Sequence, residues 1–238
     1  MLAAVCLTRV LAVESSEPVV RAALDNANVR AIWYSMGTKG ELTRQAILER
    51  GMSLASRQGL EAVSIGQLAA ELDLSKSGLF AHFRSKEALQ VQILEHAAAR
   101  FVEIVVKPAI ASPRGAPRLR ALYERWMRWP EDGGLAYGCV FMATIFELDD
   151  RPGPARDTLV AQQRQFLETI ATVVRSGARE GHFRKSVDPE QVAFELFAIM
   201  MAHYHGARLL RDRKSRGRAD AAFEGLLGRI QEPHPDES

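Results

Sequence analysis

Lys76, Ser77 and Gly78 stand in a row directly after Ser75. Their chemistry suits the edges of base pairs: lysine donates to guanine N7 and O6, serine bonds to several bases, and glycine leaves room for close approach. Ser64, His82 and Lys86 flank them and carry donors for phosphate oxygens, contacts that set register without reading sequence. His82 equally suits the carbonyls at the end of its own helix. The rival clusters are weaker. His203-Tyr204-His205 and Asp149-Asp150 place adjacent side chains about 100° apart on a helix. No nucleophile–base pair or phosphate loop accompanies them, so no enzyme is expected. Cys6 and Cys139 are the two cysteines, and neither sits in a C-x-x-C or Cys/His spacing. A reducing compartment with no metal and no cofactor is the expectation.

Short helices must position these residues. Ser64 precedes Ile65, Leu68, Ala69 and Leu72 at i, i+3, i+4 and i+7, an N-cap with Gln67 as capping-box partner. Ser75 caps a third helix, Lys76 to His82, for which Leu79, Phe80 and Phe83 supply apolar contacts. A helix of this length is not stable alone, so Leu74, Leu79 and Phe83 must bury against the helices before it. Ile47, Gly51, Leu54 and Ala55 form one face of a first helix running from Leu42 to a left-handed stop at Gly59. Ser85-Lys86-Glu87 starts a longer, connecting helix carrying Leu89, Ile93, Ala97, Phe101 and Ile104. It is expected to reach about Lys107 and stop at Pro108.

Breaks at 112–117, 130–134, 149–154 and 181–189 divide the remainder into five helices, roughly 117–129, 135–148, 155–180, 189–210 and 217–230. No segment alternates like a strand between turn signals, so the class is all-α. The 238 residues are 47% hydrophobic and 25% charged with a net charge of +2, an ordinary globular balance. There is no global basic field, and a DNA site must be local. No apolar run approaches the ~18 residues that cross a bilayer, and Arg9 interrupts the apolar start, which also lacks a positive leader. A cytoplasmic protein is expected, with no membrane partner. Residues 1–35 show weak periodicity, and two readings stay open: a native extension, or a translation start at Met36. Residues 233–238 form a tail.

The run Ser64-Ile-Gly-Gln-Leu-Ala-Ala-Glu-Leu-Asp-Leu-Ser-Lys-Ser-Gly-Leu-Phe-Ala-His-Phe83, continuing through Arg84-Ser-Lys-Glu-Ala-Leu89, resembles the helix-turn-helix of TetR-type transcriptional repressors. The likeness is close over about residues 40–100. Beyond them only the helical layout and the segment from Gly138 to Asp157 look similar. The resemblance implies an N-terminal three-helix DNA-binding domain over 40–100, with its motif at 64–83. It also implies a C-terminal helical ligand-binding and dimerisation domain over 101–232. The protein would then bind double-stranded operator DNA as a homodimer paired through about 189–210 and 217–230, and a small apolar effector would release it from a palindromic operator. A helical protein-binding or structural module is the alternative. By resemblance, Ser64 and Lys86 touch phosphates. Phe80 stands where the family usually has tyrosine, which removes one phosphate hydrogen bond per subunit, and Asp73 replaces the usual turn glycine. Asp tolerates the left-handed conformation better than most residues.

An effector pocket is expected where large adaptable side chains gather: Trp126, Trp129, Phe141, Met142, Ile145, Phe146 and Phe166. Cys139, Glu147, His203 and Tyr204 are its candidate polar anchors. The same stripes also suit plain core. Val192, Leu196, Ile199 and His203 mark one stripe of the penultimate helix, and Ala193, Phe197, Met200 and Tyr204 mark the next. One should meet the dimer mate and the other the pocket. The basic cluster Arg208, Arg211, Arg213, Lys214, Arg216 and Arg218 is expected to be a solvated loop.

Overall fold

The computed structural model describes residues 39–135 and 137–232. The readings made for residues 1–35, Met36 and 233–238 lie outside them. Among the described residues nine helices follow one another: α1 Lys39–Gln58, α2 Ile65–Glu71, α3 Lys76–Phe83, α4 beginning at Lys86, α5 Ala116–Asp132, α6 Val140–Leu148, α7 Pro154–Arg179, α8 Pro189–Arg208 and α9 Ser215–Ile230. Among the described residues the sole β pairing is an isolated bridge between Phe183 and Gln231, and no helix is long and apolar enough to cross a membrane.

The helix starts follow their caps. Ser64, Ser75 and Ser85 each accept a backbone N–H from the residue three positions on, Gln67, Gly78 and Ala88, and Asp188 accepts from Glu190 and Gln191. The expected capping box at Ser64 is not closed. The Gln67 amide instead accepts from Gln58 and donates to Glu71, because α1 ends beside it. Gly59 ends α1 at φ +85, and Asp73 makes the turn between α2 and α3 at φ +54.

Two prolines do not act as the sequence suggests. Helix α4 runs Lys86–Phe101, widens into a π segment at Val102–Val106, and continues through Pro108 to Ile110. In the wide turn the Lys107 N–H reaches back to the Val102 carbonyl, five residues away. That winding relieves the clash a proline ring makes with the carbonyl four residues earlier. Pro130 likewise lies inside α5. Its missing N–H falls in the last turn, where one lost bond does not break the helix. Helix α6 starts at Val140 rather than 135, since Gly134 and Gly138 adopt left-handed backbone, φ +69 and +108.

Helices α1 to α3 and the first turns of α4 bury Ile47, Leu54, Leu68, Leu79, Phe83 and Leu89. Helix α4 packs on α1 at one end and along α7 further on, while α6 lies across α1. Phe101 is the pivot of the larger core. It meets Trp129, Phe141 and Phe166 edge to face at centroid distances of 5.4, 5.9 and 5.2 Å.

Candidate nucleic-acid interface

The first turn of α3 faces solvent: Lys76, Ser77 and Gly78 are all exposed, while Leu79 and Phe83 on the opposite side are buried. Ser75 Oγ accepts the Gly78 N–H at 3.0 Å and lies 3.2 Å from Ser77 Oγ, which braces that turn. The Lys76 chain lies along the start of α2, with its Cε 3.4 Å from where a Cβ on Gly66 would sit. Ser64, exposed, borders the same position, so Ser64 and Lys76 are neighbours across the turn. Phe80 is a correction to the apolar contacts expected of α3: it is 51% exposed, because a helix this narrow buries only one side.

His82 is half-buried and tilted against Phe83, with ring centroids 6.1 Å apart. Lys86 is exposed but engaged. Its Nζ donates to the Glu61 carbonyl at 2.6 Å and lies 3.2 Å from Glu61 Oε2. The Gln90 amide and then Lys86 hold the Glu61 carboxyl below its ordinary range. A phosphate at Lys86 therefore competes with Glu61. Arg84 escaped the sequence reading. It turns the chain from α3 to α4 at φ +50 and is exposed, a conformation that no local sequence signal at an arginine announces.

A narrow cavity of about 40 Å³ opens in the larger core. Of the predicted pocket residues, Trp126, Cys139, Phe141, Met142 and Phe166 line it, with Phe101, Phe197 and three glutamines, Gln162, Gln163 and Gln165. Trp129 and Ile145 do not line it, nor do four others. Phe146 points outward, 72% exposed. Met200 is buried in the core. Tyr204 packs against Arg208, 5.8 Å away, and His203 Nδ1 lies 3.1 Å from Ser215 Oγ on α9. Glu147 is no anchor either. Its carboxylate accepts the backbone N–H groups of Leu60 and Glu61 at 2.7 and 2.8 Å, tying α6 to the loop before α2. The glutamines look like solvent-facing residues in the sequence and were missed. Burial raises the Cys139 thiol to a pKa of about 11, so it stays protonated and is a weak nucleophile.

Both stripes predicted on α8 turn inward. Val192, Leu196, Ala193 and Met200 are buried and Ile199, Phe197, His203 and Tyr204 half-buried, because α7 and α9 clasp α8 from two sides. The more open stripe is a third one, in which Phe194, Ala198, His205 and Leu209 are exposed and Met201 is half-buried. Phe194 is 67% and Leu209 71% exposed. In the basic cluster, Arg218 pairs with Asp212 and Arg216 with Asp220.

Burial depresses the pKa of His203. The neutral ring is therefore favoured in the folded chain, and its contribution to stability is complete above the unfolded value of about 6.5 and falls away as the pH drops below it. Thermal melts at pH 7.5 and 5.5 are expected to show a larger loss of melting temperature in the wild type than in His203→Asn.

A short helix presented outward by two scaffold helices, ahead of a larger helical body with its own cavity, defines a helix-turn-helix regulator. Residues 47–93 match the tetR family of bacterial regulatory proteins, and residues 115–223 match the tetracyclin repressor-like C-terminal domain. The chain belongs to the TetR family. It is similar to the transcriptional repressor NemR of Escherichia coli K12, with 24% identity over 78% of this chain and 94% of that one. A TetR regulator from Chloroflexus aurantiacus superposes with a TM-score of 0.73 at 25% identity, covering 82% of this chain and 99% of the other. AibR, solved with isovaleryl coenzyme A and operator DNA, superposes with a TM-score of 0.60 at 23% identity, covering 79% and 98%.

Proposed function

We propose that the protein is a dimeric, effector-released repressor that reads a near-palindromic operator with α3. The observation that carries this reading is the exposed, braced first turn of α3, where Lys76, Ser77 and Gly78 project from a buried anchor of Leu79 and Phe83. NemR is a repressor by name, and AibR was captured with both an acyl coenzyme A and its operator. Residues 39–100 form the reader, and the helices beyond form the sensing and pairing part.

One eight-residue helix contacts too few base pairs to select a site, so a twofold mate must supply the second half-site about one helical turn away. The exposed stripe of α8 supports that pairing. So does the open face of α9, where a Cβ on Gly217, Gly225 or Gly228 would meet nothing, leaving a partner helix free to approach closely.

Helix α6 is suited to carry the signal. Phe141 and Met142 in its first turn wall the cavity, and its penultimate residue, Glu147, holds the reader's loop. An effector that displaces the wall changes the preferred angle of the reader, and a coupling of about 1–3 kcal/mol shifts operator affinity roughly 5–150-fold.

Selection of sites from randomised DNA followed by gel shifts tests the reading. Lys76→Ala is expected to lose about 1–3 kcal/mol of base discrimination at one position. Lys86→Ala is expected to weaken all sequences alike and lower the salt slope by about one contact's worth, ~0.9. Equal and negligible effects from both would remove α3 as the reading element.

A further inference from the structure

The amide oxygens of Gln162 and Gln163 are buried and accept no hydrogen bond, yet both residues line the cavity. For Gln162 the orientation of the amide is fixed, because its Nε2 donates to the Leu94 carbonyl of α4 at 3.1 Å. The oxygen must therefore be the atom that is left over. A buried acceptor without a donor costs roughly 1–3 kcal/mol, and here the residue that carries it lines a space walled by Phe101, Trp126, Phe141 and Phe166. None of the twelve lining residues is charged. An anion or a cation entering this wall would lose its hydration with no opposite charge to replace it.

We infer that the effector is a neutral, single-ring aromatic compound bearing a hydroxyl or N–H group that donates a hydrogen bond to Gln162 Oε1. This rests on the proposed effector role of the helical body and adds the ligand's chemistry. At about 40 Å³ the cavity has room for roughly three water positions. A ring enters as Phe166 and Phe197, both half-buried, swing aside. The same amide that meets the donor is tethered to α4, the helix that begins in the reader, so occupancy is felt where the two parts join.

The test is calorimetric titration of the full-length protein with p-cresol, toluene, anisole, benzoate and choline. Toluene keeps the ring without the donor, anisole offers an acceptor instead, and the last two carry charge. p-Cresol is expected to bind at least about tenfold more tightly than each of the others. Gln162→Leu, with folding checked by circular dichroism, is expected to bring p-cresol and toluene within about twofold. The wild-type ranking decides the matter even where that variant folds poorly. Equal affinity for p-cresol and toluene, no p-cresol binding at millimolar concentration, or a preference for benzoate or choline overturns the inference. Gel shifts on the same preparation keep the two questions apart. Operator binding without p-cresol selectivity sinks the ligand class alone, and p-cresol selectivity without operator binding sinks the regulator while leaving the site.

Discussion

Phe83→Ala is expected to destabilise the reader by about 3–5 kcal/mol and to abolish operator binding. Phe83 is the last residue of α3 and is 1% exposed. With Leu79 it forms the buried side of a helix of eight residues, too short to hold its shape without that anchor. The Arg44 guanidinium from α1 also stacks over the ring, 5.7 Å from its centroid, so truncation removes packing on two sides. Phe80→Ala is the control: one position into the outer face and half exposed, it should change stability by no more than about 0.5 kcal/mol. Urea unfolding followed by circular dichroism, together with gel shifts, checks both. Similar losses for the two variants would mean that α3 is not held by its inner side.

The second large effect is expected at Glu147. Its carboxylate is the partner of two backbone N–H groups in the loop at Leu60 and Glu61, and charge-assisted bonds of this kind are the stronger sort. The neighbouring Gly59 leaves room for it, since a Cβ there would sit 2.7 Å from Glu147 Oε1. Glu147→Gln keeps the shape but turns one acceptor into a donor that faces a donor. The cost should be about 1.5–3 kcal/mol. Amide hydrogen exchange at Leu60 and Glu61 is expected to quicken roughly 10–150-fold for openings local to the loop, and effector should release DNA less completely. Unchanged exchange at those two amides would remove Glu147 as the link between α6 and the reader.

Much of the layout is legible from the chain because caps are local. Ser64, Ser75, Ser85 and Asp188 announce helix starts in their own few residues, and Gly59 announces an end. Apolar period then tells which residues of α1 and α2 go inward. It does not tell what lies against a face, and the misses follow from that. On α8 both stripes, one expected at the dimer mate and the other at the pocket, turn inward, and of their residues Phe197 alone reaches the cavity, since the positions of α7 and α9 are a tertiary matter. Glu147 reads as a pocket anchor and Gln162 as a solvent-facing residue until the neighbouring backbone of Leu60 or Leu94 is placed beside them. Pro108 does not end its helix, because the rule that prolines do so presumes ordinary winding and Val102–Val106 is wound differently.

That widened circuit binds two features of the chain to a common fate. The hydrogen bond there spans five residues where the ordinary helix spans four, so the far half of α4 carries one extra residue of rotation relative to the near half, with Val105, Val106 and Ala109 buried toward α5. Deleting one of the five would rotate the far half by about 100° and drive the Pro108 ring into the carbonyl then four residues before it. Deleting the proline's constraint alone would leave a loosely wound stretch with nothing to require it. In descendants of this sequence the extra residue and the proline should be kept together or lost together.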